Sequence, residues 1–400
     1  MKSLRFTAIL VAFMVFASVA VAQRQGYNHN SVQASFHRYQ HRQQFVIPKV
    51  CGYNVYTAGL HTHTIYSDGH TTPAYRVREA WRYGLDILAI TDHIEYRRTE
   101  NDMLRFMKGY LKDEYSGKSR GVNTNIQRKD ADEQGIISDL NIGYEAAKAE
   151  NAEFGLLLIR GAEITRGDNH FNVLFTKDNN KIYDADIERS VRNAIDQGAI
   201  VIHNHPKIDK STKTMMTPLA EDLHDKGLFA GIEVGNSFWS WDHLVKYSLD
   251  KNYALVSATD IHSTIEEFFY QNGNECVYPN MTLVLAKKCD EKSVKEAIVA
   301  GRTIAYHNGR LIGKEEYLTD LFKSSISLEF LGDTKRERKV VVMNKSSFPY
   351  ELKFEKTAAV VHAMDAVQIP LEKGAKEVEF IVTNLLYSKG KCIKVKMEVK

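Results

Sequence analysis

Cysteine is scarce in this chain, with four in 400 residues, and none of them has the paired spacing of a zinc ribbon. A disulfide-rich scaffold is therefore excluded. The chain also lacks a strong charge of one sign, because 53 lysines and arginines face 50 aspartates and glutamates. This balance argues against binding to duplex nucleic acid, which requires a clustered basic excess. Because 44% of the residues are hydrophobic and 26% are charged, intrinsic disorder is excluded as well.

Long apolar runs are missing too, except in residues 1–22, which have the pattern of an export signal. Lys2 and Arg5 supply a positive start, an apolar stretch follows, and Ala20-Val21-Ala22 fits the small-residue rule for cleavage before Gln23. The alternative is a retained anchor, but the run is shorter than the roughly 20 residues that span a bilayer. We expect an exported protein, periplasmic or secreted, without a stable membrane anchor.

Export would place the cysteines in an oxidising compartment, where disulfides persist. Cys276 and Cys289 bracket a predicted strand and could pair across a loop. The alternative is that these two, with Cys51 and Cys392, are buried thiols, and the spacing does not decide between the two interpretations.

Three regions follow the signal. Residues 23–50 form a polar leader, and residues 51–312 alternate short apolar runs with amphipathic stretches, which is typical of repeated βα units. The predicted strands there are Val55–His61, Leu85–Thr91, Gly155–Ile164, Phe171–Phe175, Ala199–Ile202, Gly231–Val234, Ala254–Ala258 and Met281–Leu285. The alternation favours an α/β fold, a β/α barrel rather than a small open sheet. Residues 101–130 are interpreted as an insertion, and residues 313–400 as a small antiparallel β-sandwich-like domain without a long helix.

Histidine is plentiful, fifteen in all, and histidines with carboxylates follow the predicted strands. His61 and His63 alternate on one strand, so their side chains point the same way. The other candidates are Asp68, Asp92-His93, Glu163, His170, His203, His205, Asp260 and His262. His170 lies at the start of its predicted strand, but the other candidates next to a predicted strand lie at its C-terminal end. In β/α barrels, the C-terminal ends of the strands carry the active site. The pattern predicts a metal site.

These motifs resemble, in order, those of the PHP (polymerase and histidinol phosphatase) family. They are His61-x-His63 with Ser67-Asp68-Gly69, Thr91-Asp92-His93, Gly161-Ala162-Glu163 with His170, His205-Pro206 and Asp260-x-His262. The resemblance covers residues 53–312. It implies a distorted β/α barrel of seven strands, so that one of the eight predicted strands would be an additional element, and a trinuclear metal centre.

The resemblance also implies a ligand set. One ion would take His61, His63, Glu163 and Asp260; Glu163 would bridge to a second ion held by His170 and His205; Asp68, His93 and His262 would hold the third. His70 is an alternative to Asp68. His203 is either a residue facing the substrate or a histidine bonded inside the barrel.

Imidazoles with few carboxylates suit Zn, Mn or Fe rather than Mg or Ca. We expect three divalent ions, a metal-bound hydroxide that attacks phosphorus, and Asp260 as the first candidate to carry the proton, with Glu163 and His262 as further catalytic candidates. Arg166, His203 and Arg302 are the candidate substrate contacts. Glu233 or Asn236 could line the pocket, and Trp239 and Trp241 could stack on an aromatic leaving group.

The leading hypothesis is an exported hydrolase of small phosphomonoesters or phosphodiesters. A metal-dependent amidase or lactonase is the second hypothesis, and a non-catalytic metal-containing binding protein is the third. The sequence does not determine the oligomeric state.

Overall fold

A computed structural model describes residues 41–100, 139–207, 215–267 and 278–399, and the strands in these ranges are long enough to define the sheet. They are β1 Asn54–Gly59, β2 Ile87–Ile90, β3 Leu157–Arg166, β4 Asn169–Leu174, β5 Ile200–His203, β6 Gly231–Asn236, β7 Trp239–Ser240, β8 Ala254–Ala258, β9 Met281–Ala286, β10 Thr303–His307, β11 Arg310–Gly313, β12 Ile326–Asp333, β13 Glu337–Asn344, β14 Tyr350–Phe354, β15 Thr357–Val361, β16 Ala366–Glu372, β17 Glu377–Ser388 and β18 Lys391–Glu398.

The helices of the described ranges lie mainly between the early strands. They are α1 Pro73–Arg82, α2 Ile142–Asn151, α3 Ile187–Asp196, α4 Pro218–Asp225, α5 Asp242–Asp250, α6 Glu291–Val299 and α7 Glu315–Ser325. Helix α1 begins as the sequence predicts, because Thr72 caps it by accepting the Tyr75 N–H and Pro73 occupies the first turn.

One large sheet carries most strands, in a mixed α/β arrangement. Two parallel groups, β1-β2-β3 and β5-β6-β8, are joined by β4, which is antiparallel to both β3 and β5. On the other side of β1, β9 runs antiparallel and is followed by β10, β11 and β17. The mixed α/β class and all eight strands predicted for residues 51–312 are thus found.

The two ends of this arrangement come close at β8. An isolated parallel bridge links Thr62, after β1, to Ile261, after β8. The Thr282 hydroxyl in β9 donates to the Ser257 carbonyl in β8 and accepts the Ser257 N–H. Within the described ranges no continuous ladder joins β8 to β1 or to β9, so closure into a barrel stays a prediction.

The C-terminal region is rich in strands, as predicted. Strands β12, β13 and β16 form a second sheet, while β14, β15, β17 and β18 extend the first. Both sheets pack into one apolar cluster, to which Val340 and Ile369 contribute from one side and Leu352 and Phe380 from the other. Residues 45–400 cluster as one compact unit, and because β17 pairs with β11 the sheet crosses the predicted domain boundary at 312/313. That boundary stays a prediction.

The expectation of no long helix after residue 313 is wrong. Helix α7 buries Tyr317, Leu318, Leu321 and Phe322 on one face, a spacing that suits a helix packed on the core. Glu315 and Glu316 lie in its first turn, where the helix dipole favours acidic residues.

Several predictions fall outside the described residues: the export signal 1–22, most of the leader 23–50, the insertion at 101–130, and Cys276 with its possible bridge to Cys289. Cys51 and Cys392 are free thiols, but Cys51 is exposed and Cys392 is half-buried, so the interpretation of both as buried thiols is wrong. Among the helices of the described ranges, none combines the length and apolar character needed to cross a membrane.

Candidate metal centre

The candidate ligands gather at the edge of the sheet where the parallel strands end. His61 and His63 follow β1, His93 follows β2, and Asp260 follows β8. His170 lies near the start of β4, but β4 is antiparallel to β3 and β5, so its start lies at the same edge. The convergence expected from the strand-end pattern is therefore found.

His61 and His63 form the buried floor of the cluster. Their Nε2 atoms are 3.0 Å apart, and both rings are fully buried. Asp260 Oδ1 lies 3.2 Å from His61 Nε2 and 3.0 Å from His63 Nε2. Glu163 Oε2 is 3.5 Å from each of the same two nitrogens. Four side chains from β1, β3 and β8 or the residues that follow them thus direct their ligand atoms at one point.

A second group surrounds Asp68. Its Oδ2 lies 3.1 Å from His262 Nε2 and 3.6 Å from His93 Nε2, and its Oδ1 lies 3.7 Å from His63 Nδ1. His70, the alternative ligand, has an exposed side chain. The geometry therefore favours Asp68 at this position.

Asp92 holds the loop that carries Asp68. Its carboxylate accepts the Thr64 N–H at 2.7 Å and the Ser67 hydroxyl at 2.8 Å. Gly69 packs so closely in this turn that a Cβ would come within 2.7 Å of the Thr64 nitrogen. Sequence analysis noted Asp92 only as the neighbour of His93, and its role as a support of this loop was missed.

The two carboxylate oxygens of Glu163 face different histidines. Its Oε1 is 3.1 Å from His170 Nδ1 and 3.6 Å from His205 Nε2, and it accepts an N–H from the Asn204 side chain at 2.8 Å. Its Oε2 is 2.9 Å from His93 Nδ1. This placement suits a bridging carboxylate. Asn204 was missed, although its position between two histidines was a usable signal.

Glu233 orients His61 from behind. Its Oε1 lies 2.9 Å from His61 Nδ1, and its Oε2 accepts the His205 N–H and an Asn236 side-chain N–H, both at 2.8 Å. A carboxylate on Nδ1 leaves Nε2 free for a metal, which is a common arrangement around bound ions. Glu233 and Asn236 were expected to line the pocket; they lie behind its ligands.

Two of the candidate ligands have strained backbones. His205 has φ 26° and Asp260 has φ 52°, values that non-glycine residues rarely adopt. Such strain costs about 1–3 kcal/mol per residue and persists only where the surroundings enforce it, often at functional sites.

The charges of the cluster are strongly coupled. Burial opposes the charged form of His61, but Asp260, Glu163 and Glu233 raise its pKa well above the ordinary value. Burial, His262 and His93 lower the pKa of His63 to about 3. Burial would raise the pKa of Glu163, but His93 and His61 hold it well below its usual range.

The outer members show the same pattern. Burial would raise the pKa of Asp68, yet the hydrogen bond from His262 and the nearby histidines lower it to about 2. In return, despite burial, Asp68 and Asp260 raise the pKa of His262 to about 9. The cluster therefore favours ionised carboxylates surrounded by positive charge.

The donor set fits divalent cations. Asp68 Oδ1 and Glu163 Oε2 are buried acceptors without a well-aligned hydrogen bond from the described residues. The residues of each of the following sets offer ligand atoms that all lie within 4.8 Å of one another: His63, Asp68, His93 and His262; His61, His205 and Glu233; His61, His63 and Glu163; His93, Glu163 and His170. Mixed imidazole and carboxylate ligands suit Zn, Mn or Fe.

Each of the three predicted substrate contacts is engaged by other residues of the fold. Arg166 lies near the cluster, but its guanidinium pairs with Glu95 at 2.7 Å, packs on Tyr183 and donates to the Asp184 carbonyl. Burial raises the pKa of Glu95 to about 7, although Arg166 opposes the shift. Arg166 thus braces the end of β3 instead of presenting a free cation.

His203 fits the interpretation of a histidine bonded inside the fold. Its ring is buried and stacks on Phe229, and its Nδ1 lies 3.0 Å from His224 Nε2. His224 Nδ1 in turn lies 3.2 Å from the Tyr253 hydroxyl. These contacts direct His203 into the core, and its assignment as a substrate contact is not supported by them.

The contacts of Arg302 do not support its assignment as a substrate contact. Its guanidinium packs on Tyr53, pairs with Glu296 and donates to the Leu285 carbonyl. Tyr53 precedes β1 and His61 follows it, and eight residues of extended chain span about 26 Å. Arg302 therefore lies at the edge of the sheet opposite the cluster.

Trp239 and Trp241 lie in different environments. Trp239 is 72% exposed on β7, opposite Asn236 in the β6–β7 pair. Trp241 packs against the apolar cluster that contains Leu244. Trp239 is thus the more accessible of the two, since Trp241 is partly buried.

The sequence that carries these histidines and carboxylates matches the PHP domain family model over residues 59–274. The chain belongs to the PHP domain family. The match covers more than half of the chain and contains every candidate ligand from His61 to His262.

Solved structures extend the comparison. The chain is similar to a two-domain protein from Bacteroides vulgatus described as containing a predicted PHP-like metal-dependent phosphoesterase, with 26% identity, a TM-score of 0.74, and coverage of 90% of this chain and 99% of that one. A putative metal-dependent phosphoesterase from Bifidobacterium adolescentis matches with 14% identity and a TM-score of 0.37, over 61% of this chain and 96% of the other. No curated protein matches the chain.

Proposed function

We propose that this PHP domain protein is an exported, metal-dependent phosphoesterase that hydrolyses small phosphomonoesters or phosphodiesters. The observation that carries the proposal is the convergence of nine candidate ligands on one partly buried cluster: His61, His63, Asp68, His93, Glu163, His170, His205, Asp260 and His262. Membership of the family and the likeness to the Bacteroides protein support it.

The cluster would hold up to three divalent ions, with Glu163 between them. Bound Zn, Mn or Fe would lower the pKa of a water molecule from about 15.7 toward about 7 and neutralise charge on phosphate oxygens. Glu163 is suited to the bridging position because each of its oxygens faces different imidazoles.

The chain's own residues orient the substrate and move the proton. His61 and His63 are sealed from solvent, whereas the side chains of Asp260 and His262 are 20% and 37% exposed. A phosphate ester would therefore approach from the side of Asp260 and His262. Asp260 Oδ2 faces this side, 3.6 Å from His205 Nε2, and is our candidate to accept the proton.

We also propose that β1 to β6 with β8 form the distorted seven-stranded barrel. The barrel would close between the residues that follow β1 and those that follow β8, at the Thr62–Ile261 bridge. The hydrogen bond from the His63 N–H to the Ile261 carbonyl, at 3.1 Å, supports this closure.

The function is tested with the full chain stripped by a chelator and reloaded with Zn, Mn or Fe. We expect turnover of p-nitrophenyl phosphate or of its bis ester, abolished by the chelator. Glu163→Gln should lower the rate of hydrolysis by more than about 100-fold, which is the upper end of the loss caused by removing a residue that hydrogen-bonds to a metal ligand. The control is Glu372→Gln, at an exposed glutamate on β16, which should not change the rate.

Absence of phosphate-ester hydrolysis with the ions bound would refute the proposal. Cleavage of amides or lactones instead would select the amidase alternative, and bound ions without any turnover would favour a binding protein. Export is tested separately, because the mature protein recovered from outside the cytoplasm should begin at Gln23.

A further inference from the structure

Arg76, on helix α1, is a buried arginine that points toward the strand ends instead of toward water. It is 1% exposed, and it is the first of the largest fully buried side chains in the described residues. A guanidinium carries five N–H donors and is costly to bury unless they are paired.

The guanidinium contacts two separate segments of the chain. Its Nη2 lies 3.0 Å from the His63 carbonyl, 3.2 Å from the Ile261 carbonyl and 2.9 Å from the Ser263 carbonyl. Its Nη1 donates to Glu79 Oε2 at 2.5 Å. Arg76 therefore connects the end of β1 with the segment after β8.

Glu79 completes the connection from the same helix. Its second oxygen, Oε1, accepts the Ile265 N–H at 2.6 Å, and the carboxylate is 1% exposed. One buried ion pair thus holds the segment 261–265 at several backbone groups.

The two connected segments carry ligands from opposite sides of the first candidate metal position. His61 and His63 belong to the β1 end, while Asp260 belongs to the segment after β8. The same segment also carries His262, which faces Asp68 in the neighbouring group. In the described residues these segments share an isolated bridge at Thr62–Ile261, not a continuous ladder. Because the backbone pairing is limited, side-chain contacts can contribute to the spacing between the two segments.

The strain at Asp260 points the same way. Its φ of 52° is unfavourable and needs enforcement from its surroundings. Arg76 binds the carbonyl of the next residue, Ile261, and that of Ser263. In addition, the His70 N–H donates to the His262 carbonyl at 2.6 Å.

We propose that the Arg76–Glu79 pair is a positioning device for the metal centre: it sets the distance between the ligands of β1 and those that follow β8, and thereby the affinity for the ions. Arg76 touches neither ion nor substrate in this assignment. The inference rests on the proposed metal centre, and it assigns Arg76 and Glu79 a role in forming that centre.

The test compares Arg76→Met with Val77→Ala in the metal-free full chain. Val77 is fully buried on the same helix, so its truncation lowers stability without touching the bound carbonyls. Zn²⁺ affinity is measured by competition with a chromophoric chelator, the geometry of the site by the visible spectrum of bound Co²⁺, and stability by urea unfolding.

We expect Arg76→Met to weaken Zn²⁺ binding by about 10- to 100-fold, as loss of an outer-shell partner does, and to alter the Co²⁺ spectrum. Arg76→Lys should restore part of the affinity, because the ammonium can still reach some of the carbonyls. Val77→Ala should bind Zn²⁺ as the wild type does, despite its lower stability.

Wild-type affinity and spectrum in Arg76→Met would overturn the inference, and so would equal weakening by Val77→Ala at equal loss of stability. If Arg76→Met does not fold, Arg76→Lys and Glu79→Gln decide the question, and unchanged affinity in both overturns it. Tight Zn²⁺ binding by the wild type and weak binding by the variants, without hydrolysis of any phosphate ester, would refute the proposed function and leave this inference standing.

Discussion

Glu233→Gln tests how the His61 ring is prepared for a metal ion. The wild-type carboxylate has three partners: His61 Nδ1 at 2.9 Å on Oε1, and the His205 N–H and an Asn236 side-chain N–H at 2.8 Å on Oε2. A carboxylate accepts at both oxygens, so it keeps the proton of His61 on Nδ1 and leaves Nε2 as the metal ligand.

Glutamine has one acceptor and one donor group, and the neighbours decide its orientation. Two N–H groups face the Oε2 position, so the amide oxygen will lie there and the amide NH₂ will face His61 Nδ1. In the neutral His61 ring, which is the form that binds a metal, the proton is then favoured on Nε2, the atom that must be free for the metal. Metal binding has to reverse the tautomer and leave two donors facing each other.

An unsatisfied buried donor costs about 1–3 kcal/mol, which corresponds to a loss of roughly 5- to 150-fold in affinity. The assay is Zn²⁺ competition against a chelator near pH 8, with urea unfolding of the metal-free protein as the stability control. Stability should fall less than the binding free energy does, because the amide oxygen keeps the hydrogen bonds from the His205 N–H and the Asn236 side chain. Equal Zn²⁺ affinity in Glu233→Gln and in the wild type would refute this account of the tautomer.

Three further predictions follow from the structure. Gly69→Ala should cost about 1–3 kcal/mol in urea unfolding, because its Cβ would come within 2.7 Å of the Thr64 nitrogen. Burial, together with the positive charge of Lys251, lowers the pKa of His224 to about 3. Below pH 6.5 the unfolded chain therefore binds a proton that the folded chain does not, and the free energy of unfolding falls as the pH drops. His224→Gln should make this fall shallower by up to about 1.4 kcal/mol per pH unit between pH 6.5 and 5, measured by urea unfolding. Arg302→Ala should leave kcat and KM within about twofold of the wild type in a p-nitrophenyl phosphate assay, because Arg302 lies at the far edge of the sheet.

The position of the candidate centre could be predicted because it depends on short-range rules. His61 and His63 share a face through the two-residue period of a strand, and parallel strands bring their C-terminal ends to one edge. His170 was the exception in that pattern, and the antiparallel β4 explains it, since the start of that strand lies at the same edge.

Other features were available in the sequence but were not used. Asn308-Gly309 joins β10 to β11, and an Asn-Gly pair between apolar runs is a strong hairpin signal. The amphipathic face of α7 was visible as well. The edge of the sheet at which Arg302 lies could not be assigned for a different reason. Arg302 comes directly before β10, which is antiparallel to β9, and β10 was not predicted because the β10–β11 hairpin was not recognised.

Arg76 and Glu79 could not be found from sequence patterns, because most of their partners are backbone groups distant in the chain. Arg76 is one of 53 basic residues, and nothing in its neighbourhood indicates that it binds carbonyls 185 and 187 residues away. A periodicity reports which face of a helix is buried, but it does not report what a charged side chain on that face will contact.

The two strained ligands show why such supports matter. His205 and Asp260 both adopt a positive φ without being glycine, and each has a buried charged group next to its backbone: Glu233 accepts the His205 N–H, and Arg76 binds the carbonyl that follows Asp260. The strain of about 1–3 kcal/mol per residue is offset by these charge-assisted hydrogen bonds. If this is their role, neutralising either Glu233 or Arg76 lets the adjacent ligand relax away from the centre. Metal affinity should then fall more than the stability of the metal-free fold, the reverse of what an ordinary core substitution does.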